Sequence, residues 1–428
     1  MTSSPRTYFL GLRTGLWLHR DFVRLWAGQS VSMLGTMIGR PAMSFTAILV
    51  LHASPAQVAL LAAMDIVPGL LVGLHAGAWV DRMRRRPILI GTDVARFLLL
   101  LTVPVAALLD ALHIQQLYVV AFAVSLLSVF FSVAYQAYLP SLIHQDQLLE
   151  GNSKLAAGAA VAEFSGFGMA GALVHALTAP FAVLVDAFSF LVSAWAVRGI
   201  RAPEPAPEHA GSQQPMLRDI AAGVAEVVRQ PLLRALALCN ISMDVAGGIF
   251  AALVVLYMSR DLGFSPALLT PIWAVGGFAS LLGAAYAGRF TAWVGVGPAL
   301  IVGVVGTGIG MLFIPAAVGA TWLAAGFLIA QQLLGDASAT LFDINQTTLR
   351  QQLAPPAMLG RISATLNLGK QGAALVGTLL GGTLGTLLGV RETLVIAGVV
   401  TLLSALWLAL SPLRRVHALP APAPAGDA

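Results

Sequence analysis

Eight ionisable residues stand inside stretches that are otherwise apolar: Arg40, Asp65, Asp93, Arg96, Glu163, Asp244, Asp336 and Lys370. An ionisable group on a membrane-crossing segment costs about 2.5–3.5 kcal/mol. Each must therefore pair with an opposite charge, line a wet cavity or carry a proton. At about 1.5 Å per residue, Arg40 and Asp65 lie about 14–16 Å from the same membrane surface, on consecutive antiparallel segments. They are expected to pair. Asp336 and Lys370 match in the same way, about 14–15 Å from the opposite surface. Asp93 and Arg96, three residues apart on one helix, form a local pair. Glu163 and Asp244 have no evident partner, which makes each a candidate to load and release a proton; a structural hydrogen bond or a cavity-facing acid is the alternative. His75 is a further titratable group, and Asp186 in "VDAFSF" is read as structural.

A second concentration of charge lies in "GAWVDRMRRRP", residues 77–87, where Asp81 is followed by Arg82, Arg84, Arg85 and Arg86. Enzyme chemistry finds no matching pattern. No histidine or carboxylate cluster has metal-ligand spacing, no nucleophile motif is present, and the glycine run "GTLLGGTLG" follows no strand and precedes no phosphate-loop lysine. The lone Cys239 excludes an intramolecular disulfide and a cysteine-built metal site. No cofactor, no metal and no nucleic-acid partner are expected.

The elements that position these groups follow from composition. Only 10% of the 428 residues are charged and 58% are hydrophobic, whereas a soluble domain carries roughly 25% charged residues. Too few polar groups remain to cover a water-facing surface, so the solvent is largely lipid. A spanning helix needs about 20 apolar residues. The sequence predicts twelve spans, at 25–51, 56–80, 87–110, 115–139, 153–176, 178–198, 232–258, 266–288, 296–318, 320–346, 361–388 and 390–411. A polar stretch at 199–231, "GIRAPEPAPEHAGSQQPMLRDI…", divides them six and six. Within it Leu217, Ile220, Ala221, Val224 and Val228 share one helical face, the mark of an interfacial helix. The expected organisation is a cytoplasmic segment at 1–24, a six-helix bundle at 25–198, the linker at 199–231, a second bundle at 232–411 and a disordered tail at 412–428.

Orientation follows from the basic residues. With the N-terminus in the cytoplasm, 19 of the 24 Lys and Arg fall on the inner side. Only Arg260 and Arg391 fall outside, and Arg40, Arg96 and Lys370 lie within spans. That bias obeys the positive-inside rule, and it predicts an inner-membrane, multi-pass protein with both termini cytoplasmic. No cleavable signal is evident, because the first apolar segment is too long.

The motif between helices two and three, inside a twelve-helix pattern split six and six, resembles the major facilitator superfamily. "FVRLWAGQSVSMLG", "VDAFSFLVSA", "RQQLAPPAMLGRISA" and "ALWLALSPLRR" resemble its branch containing the enterobactin exporter and macrolide efflux proteins, from about residue 20 to 415. The resemblance implies an all-α membrane protein, two six-helix bundles of inverted repeats with a substrate cavity at the membrane midplane. It also implies a gating role for the loop. Gly77 would allow close helix approach. Asp81 would act as a latch facing the start of helix eleven near 360–363, where a helix N-terminus favours an anion. Arg82, Arg85 and Arg86 would add contacts across the cytoplasmic mouth. Against orientation alone, an acid at position 81 has no purpose.

Two departures from the drug-antiporter pattern stand out. Helix five has Phe167 where a Gly-Pro kink is usual, and helix four lacks the arginine that many proton-coupled exporters place there. The resulting expectation is a secondary transporter working by alternating access, a monomer in the lipid bilayer, exporting a small amphiphile such as a drug, a macrolide-like compound or a siderophore, with protons as the candidate coupling ion. An importer of a peptide- or sugar-like solute on the same fold is the alternative, and a non-transporting membrane sensor a remote one.

Overall fold

The computed structural model describes residues 15–80, 82–144, 147–204, 216–354 and 358–417. Among these, helices account for nearly all of the ordered chain and no strand is present. The helices are α1 (Arg20–Phe45), α2 (Pro55–Val80), α3 (Arg85–Leu108), α4 (Ile114–Leu142), α5 (Leu148–Leu177), α6 (Ala179–Arg198), α7 (Met216–Arg229), α8 (Pro231–Leu256), α9 (Pro266–Val294), α10 (Val296–Ala316), α11 (Trp322–Gln331), α12 (Ala337–Leu353), α13 (Leu359–Leu387) and α14 (Val390–Ala409). A π-helical turn at Gln332–Asp336 joins α11 to α12. Setting α7 aside and counting α11–α12 as one leaves twelve passes, each overlapping one predicted span.

Nine helices among the described residues are long and apolar enough to cross a membrane on their own. The two limbs of α5, Glu150–Gly166 and Gly168–Leu177, make a tenth when their 45° bend is taken within one span. The passes that fall short, α11–α12 and α13, do so because they carry polar residues such as Gln332, Asp336, Asn345, Gln346, Asn367 and Lys370. Trp79, Trp195, Trp293, Trp322 and Trp407 are exposed near helix ends, where amphipathic rings settle at the headgroup level.

Local chemistry explains the boundaries. The ring nitrogen Nδ1 of His19 accepts the Phe22 N–H at 3.1 Å and caps α1, and Thr321 Oγ1 accepts the Ala324 N–H at 3.1 Å to cap α11. Prolines open α8 and α9 at Pro231 and Pro266, where the missing N–H costs nothing. The turn between α13 and α14 passes through Gly389 at φ 104°, and the corresponding turn between α5 and α6 passes through Thr178 at φ 68°. A Cβ in that region is strained.

The described residues fall into two compact units, one ending at Thr46 and resuming over Leu71–Gly211, the other comprising Ala47–Leu70 and the chain from Ser212 onward. In the first unit, α1 lies close on α6 because glycines face small residues. A Cβ on Gly28 would meet Ala196 at 2.9 Å, and one on Gly35 or Gly39 would collide with Ser189 or Asp186. Small faces are what let membrane helices associate. In the second unit, Gly377 and Gly381 on α13 seat against Val245 and Ile249 of α8, and Gly248 of α8 seats against Ala374 and Thr378. The first half of α2 belongs with this unit, since Gly382 of α13 leaves room for Ala56 and Ala59. Helix α7 packs through Val227, buried among Leu233, Ala237, Ala354 and Ile362, and through Gly223 against the Arg361 carbonyl of α13. Val224 and Val228 point outward, as an interfacial helix requires; the side chains of Leu217 and Ile220, like the tail from residue 418 on, lie outside what is described.

Candidate functional site

The first unit holds a sealed charge cluster. Asp93 is fully buried, and Arg96 and Asp186 are 4% and 5% exposed. Arg96 on α3 forms an ion pair with Asp93 one turn earlier, and its Nη1 donates to Ser128 Oγ of α4 at 3.2 Å. Its guanidinium lies between two rings, 4.4 Å from the centre of Phe131 and 4.1 Å from that of Phe190. Asp186 on α6 accepts from Thr36 Oγ1 of α1 at 3.2 Å, and both Arg96 and Arg40 act on it electrostatically. Four helices thus meet at two acids and one arginine, all three buried. The cluster ties the unit together. Asp186 is a full member of it, a role that reading "VDAFSF" as structural only half anticipated.

The second unit places its charges differently. Asp244 is half-buried near the middle of α8, and Lys370 is exposed near the middle of α13. Lys370 is the charge that acts on Asp244. The predicted partnership of Lys370 with Asp336 is not made. The glycine contacts of α13 set it against α8, whereas Asp336, in the π-helical turn, fills the space beside Gly276 of α9 together with Gln332. A Cβ built on Gly247, one turn after Asp244 on α8, or on Gly369, next to Lys370 on α13, meets no heavy atom within 4 Å. One amide chain runs nearby. Asn240 Nδ2 donates to Gln346 Oε1 at 3.0 Å, and Gln346 Nε2 donates to the exposed Asp343 at 2.8 Å. Sequence reasoning passed over Asp343 and Gln346. The signal was available, since α12 is the most polar of the passing helices.

The remaining candidates lie on α1, α2 and α5. Glu163 is exposed at the middle of α5 and Arg40 is exposed on α1. Arg40 belongs to the first unit and Asp65 to the second, and both take part in polar or electrostatic interactions. His75 is exposed on α2.

The arginine loop is anchored by a residue the sequence did not single out. Both oxygens of Glu204, in the linker after α6, accept backbone N–H groups at the start of α3, from Arg85 and, at 3.2 Å, from Arg86. A carboxylate there satisfies orphan donors and complements the positive helix end. Arg86 Nη2 then donates to the Arg198 carbonyl at 2.7 Å. Asp21 does for the linker what Glu204 does for α3, accepting the Arg201 and Ala202 N–H groups at 3.1 and 3.0 Å. Arg82 and Arg84 are exposed. Asp81 lies outside the described residues, as does the side chain of Phe167. The close approach expected at Gly77 is not made among the described residues, where nothing lies within 4 Å of a Cβ built there. Glu204 was readable in principle, as one of only 19 acids in the chain, placed just beyond a basic helix end.

The family model described as Major Facilitator Superfamily matches residues 25–372 and again 236–427. The uncharacterized MFS-type transporter YkuC of Bacillus subtilis (strain 168) is 24% identical over 256 residues, covering 57% of this chain and 58% of its own length. The chain therefore spans little more than half of that relative. The uncharacterized MFS-type transporter y4rN of Sinorhizobium fredii (strain NBRC 101917 / NGR234) is 24% identical over 360 residues, 82% of this chain and 85% of the relative. Among solved structures, the nucleoside transporter NupG superposes with a TM-score of 0.74 at 9% identity, over 91% of this chain and 98% of that one. A bacterial homologue of the iron transporter ferroportin in its inward-facing state gives 0.69 at 17% identity, over 91% and 98%. These likenesses concern the fold.

Proposed function

The chain belongs to the major facilitator superfamily of multi-pass membrane transporters, and from that premise we propose that it exports a small amphiphilic compound across the cytoplasmic membrane by alternating access, driven by protons. Transport of a small molecule, rather than catalysis, is the family's work. Export, and a drug, macrolide-like compound or siderophore as cargo, rest on the branch-like segments around "VDAFSF" and "RQQLAPPAMLGRISA". The observation that carries the reading is the pair of Asp244 and Lys370. Both lie near the middle of their helices, at open, glycine-flanked positions, and transporter sites sit near the bilayer midplane.

In this reading Glu163 and Asp244 carry the proton, with Arg40, Asp65, Asp336 and Lys370 as the other cavity charges. Asp81 latches the cytoplasmic side, supported by Gly77, Arg82, Arg85 and Arg86. The Asp93–Arg96 pair is structural, and the inner membrane with both termini cytoplasmic is the location. The purified protein in proteoliposomes tests this, with labelled macrolide, dye and siderophore offered under an imposed pH gradient. Gradient-driven flux that Asp81→Asn alters is expected. Flux indifferent to the gradient, with Glu163→Gln and Asp244→Asn fully active, overturns proton coupling. A deletion strain that loses uptake of a nutrient, instead of accumulating one of these compounds, overturns export.

A further inference from the structure

We infer that Lys370 is the substrate-contacting residue of the second unit and that the transported amphiphile carries a carboxylate, which takes the place of Asp244 as the counter-ion of the lysine. The inference rests on the transport reading and narrows its substrate class.

Three observations lead there. The first is depth. Helix α13 has 29 residues and is about 43 Å long, against about 30 Å of hydrocarbon. Lys370 is its twelfth residue, which leaves the ammonium's backbone about 10 Å inside a centred hydrocarbon layer. That is farther than a four-carbon stem can snorkel. An exposed ammonium at that depth faces water, because facing acyl chains costs about 2.5–3.5 kcal/mol.

The second observation is which member of the pair is presented. Asp244 is half-buried, and its Oδ2 is buried without a hydrogen-bond partner. Lys370 is exposed. A solute arriving from water meets the cation, with the acid recessed behind it. The third is room and a second donor. Asn367, also exposed, lies three residues before Lys370 on the same face of α13, and its amide is a further donor to an anionic oxygen. Next to the lysine, a Cβ built on Gly369 meets no heavy atom within 4 Å, which leaves room for the apolar body of a bound acid. A charge-assisted bond from an ammonium to a carboxylate, joined by a neutral amide, is a common way to orient an acid.

The experiment is equilibrium binding to the full chain in nanodiscs, with no gradient, of three ligands of one shape: 1-naphthaleneacetate, 1-naphthalenemethanol and 1-naphthylmethylamine. The acid is expected to bind about tenfold more tightly than the alcohol, and the amine more weakly than either. Lys370→Gln should erase the acid's advantage while leaving the alcohol's affinity unchanged, and Lys370→Arg should retain it. Asp244→Asn should strengthen acid binding, because the lysine loses its internal counter-ion. Preference for the amine, failure of the acid to bind, or an unchanged acid preference in Lys370→Gln overturns the inference. Binding is read without flux. Acid binding by a protein that moves nothing in proteoliposomes therefore overturns the transport reading and leaves only Lys370 as an acid-binding residue, whereas gradient-driven flux with no acid preference overturns the inference and leaves the transport reading standing.

Discussion

The two units use the same residue types to opposite ends. In the first, Asp93, Arg96 and Asp186 are buried at the junction of α1, α3, α4 and α6, between Phe131 and Phe190. In the second, Lys370 acts on Asp244 from an exposed position while the acid is half-buried. Glycines produce both outcomes. Where Gly35 and Gly39 face Ser189 and Asp186, the missing side chain brings helices together and shuts water out. Where Gly247 and Gly369 face nothing within 4 Å, the missing side chain draws no helix in. A charge in a membrane protein is structural or functional according to what its neighbours fill as well as to its depth.

The sharpest way to break this comparison is to remove each unit's cation and weigh the consequences. Arg96→Met leaves the buried Asp93 without its ion-pair partner, and deleting one member of a buried ionic group costs about 3–5 kcal/mol. Thermal unfolding in detergent should show a large fall in Tm or loss of folded protein. Lys370→Gln, at an exposed position, should stay within about 0.5 kcal/mol of wild type. Equal losses in the two variants would end the distinction between a sealed and an open cluster.

A smaller effect is expected from the glycines. Gly39→Ala drives a Cβ into the Asp186 carboxyl, and overpacking of this kind costs about 1–3 kcal/mol. Gly369→Ala and Gly372→Ala place theirs in open space and should leave the melting curve where it is. The comparison sharpens if these two alter ligand affinity instead.

The smallest effect concerns the arginine loop. Glu204→Ala removes the carboxylate that receives the first N–H groups of α3, at a cost of about 0.5–2 kcal/mol by analogy with other caps. Glu204→Gln keeps an acceptor and loses the charge, so it should fall in between. Hydrogen exchange at the start of α3 reads this directly. Protection there that is unchanged in Glu204→Ala would show that the linker does not hold the loop.

Much of this was readable beforehand, and the particular failures share a cause. Asp93 and Arg96 are three residues apart, so helical geometry alone brings them together. The helical passes were readable because hydrocarbon demands long apolar runs. Lys370 was assigned to Asp336 because the two sit at matching depths on consecutive helices. The glycines that turn α13 toward α8 act at a distance in the chain that depth does not measure. Glu204 went unnoticed because its partners are backbone groups 118 and 119 residues away. The π-helical turn that carries Asp336 toward α9 leaves no mark in hydropathy.

What the sequence determined by itself is the medium and the local pairings. Few charges and many apolar residues commit the chain to lipid, and residues one helical turn apart meet wherever the helix goes. Which helices touch, and therefore which charges are dry and which are wet, was decided only in three dimensions. A helix presents every face at once, and only its packing neighbours choose among them.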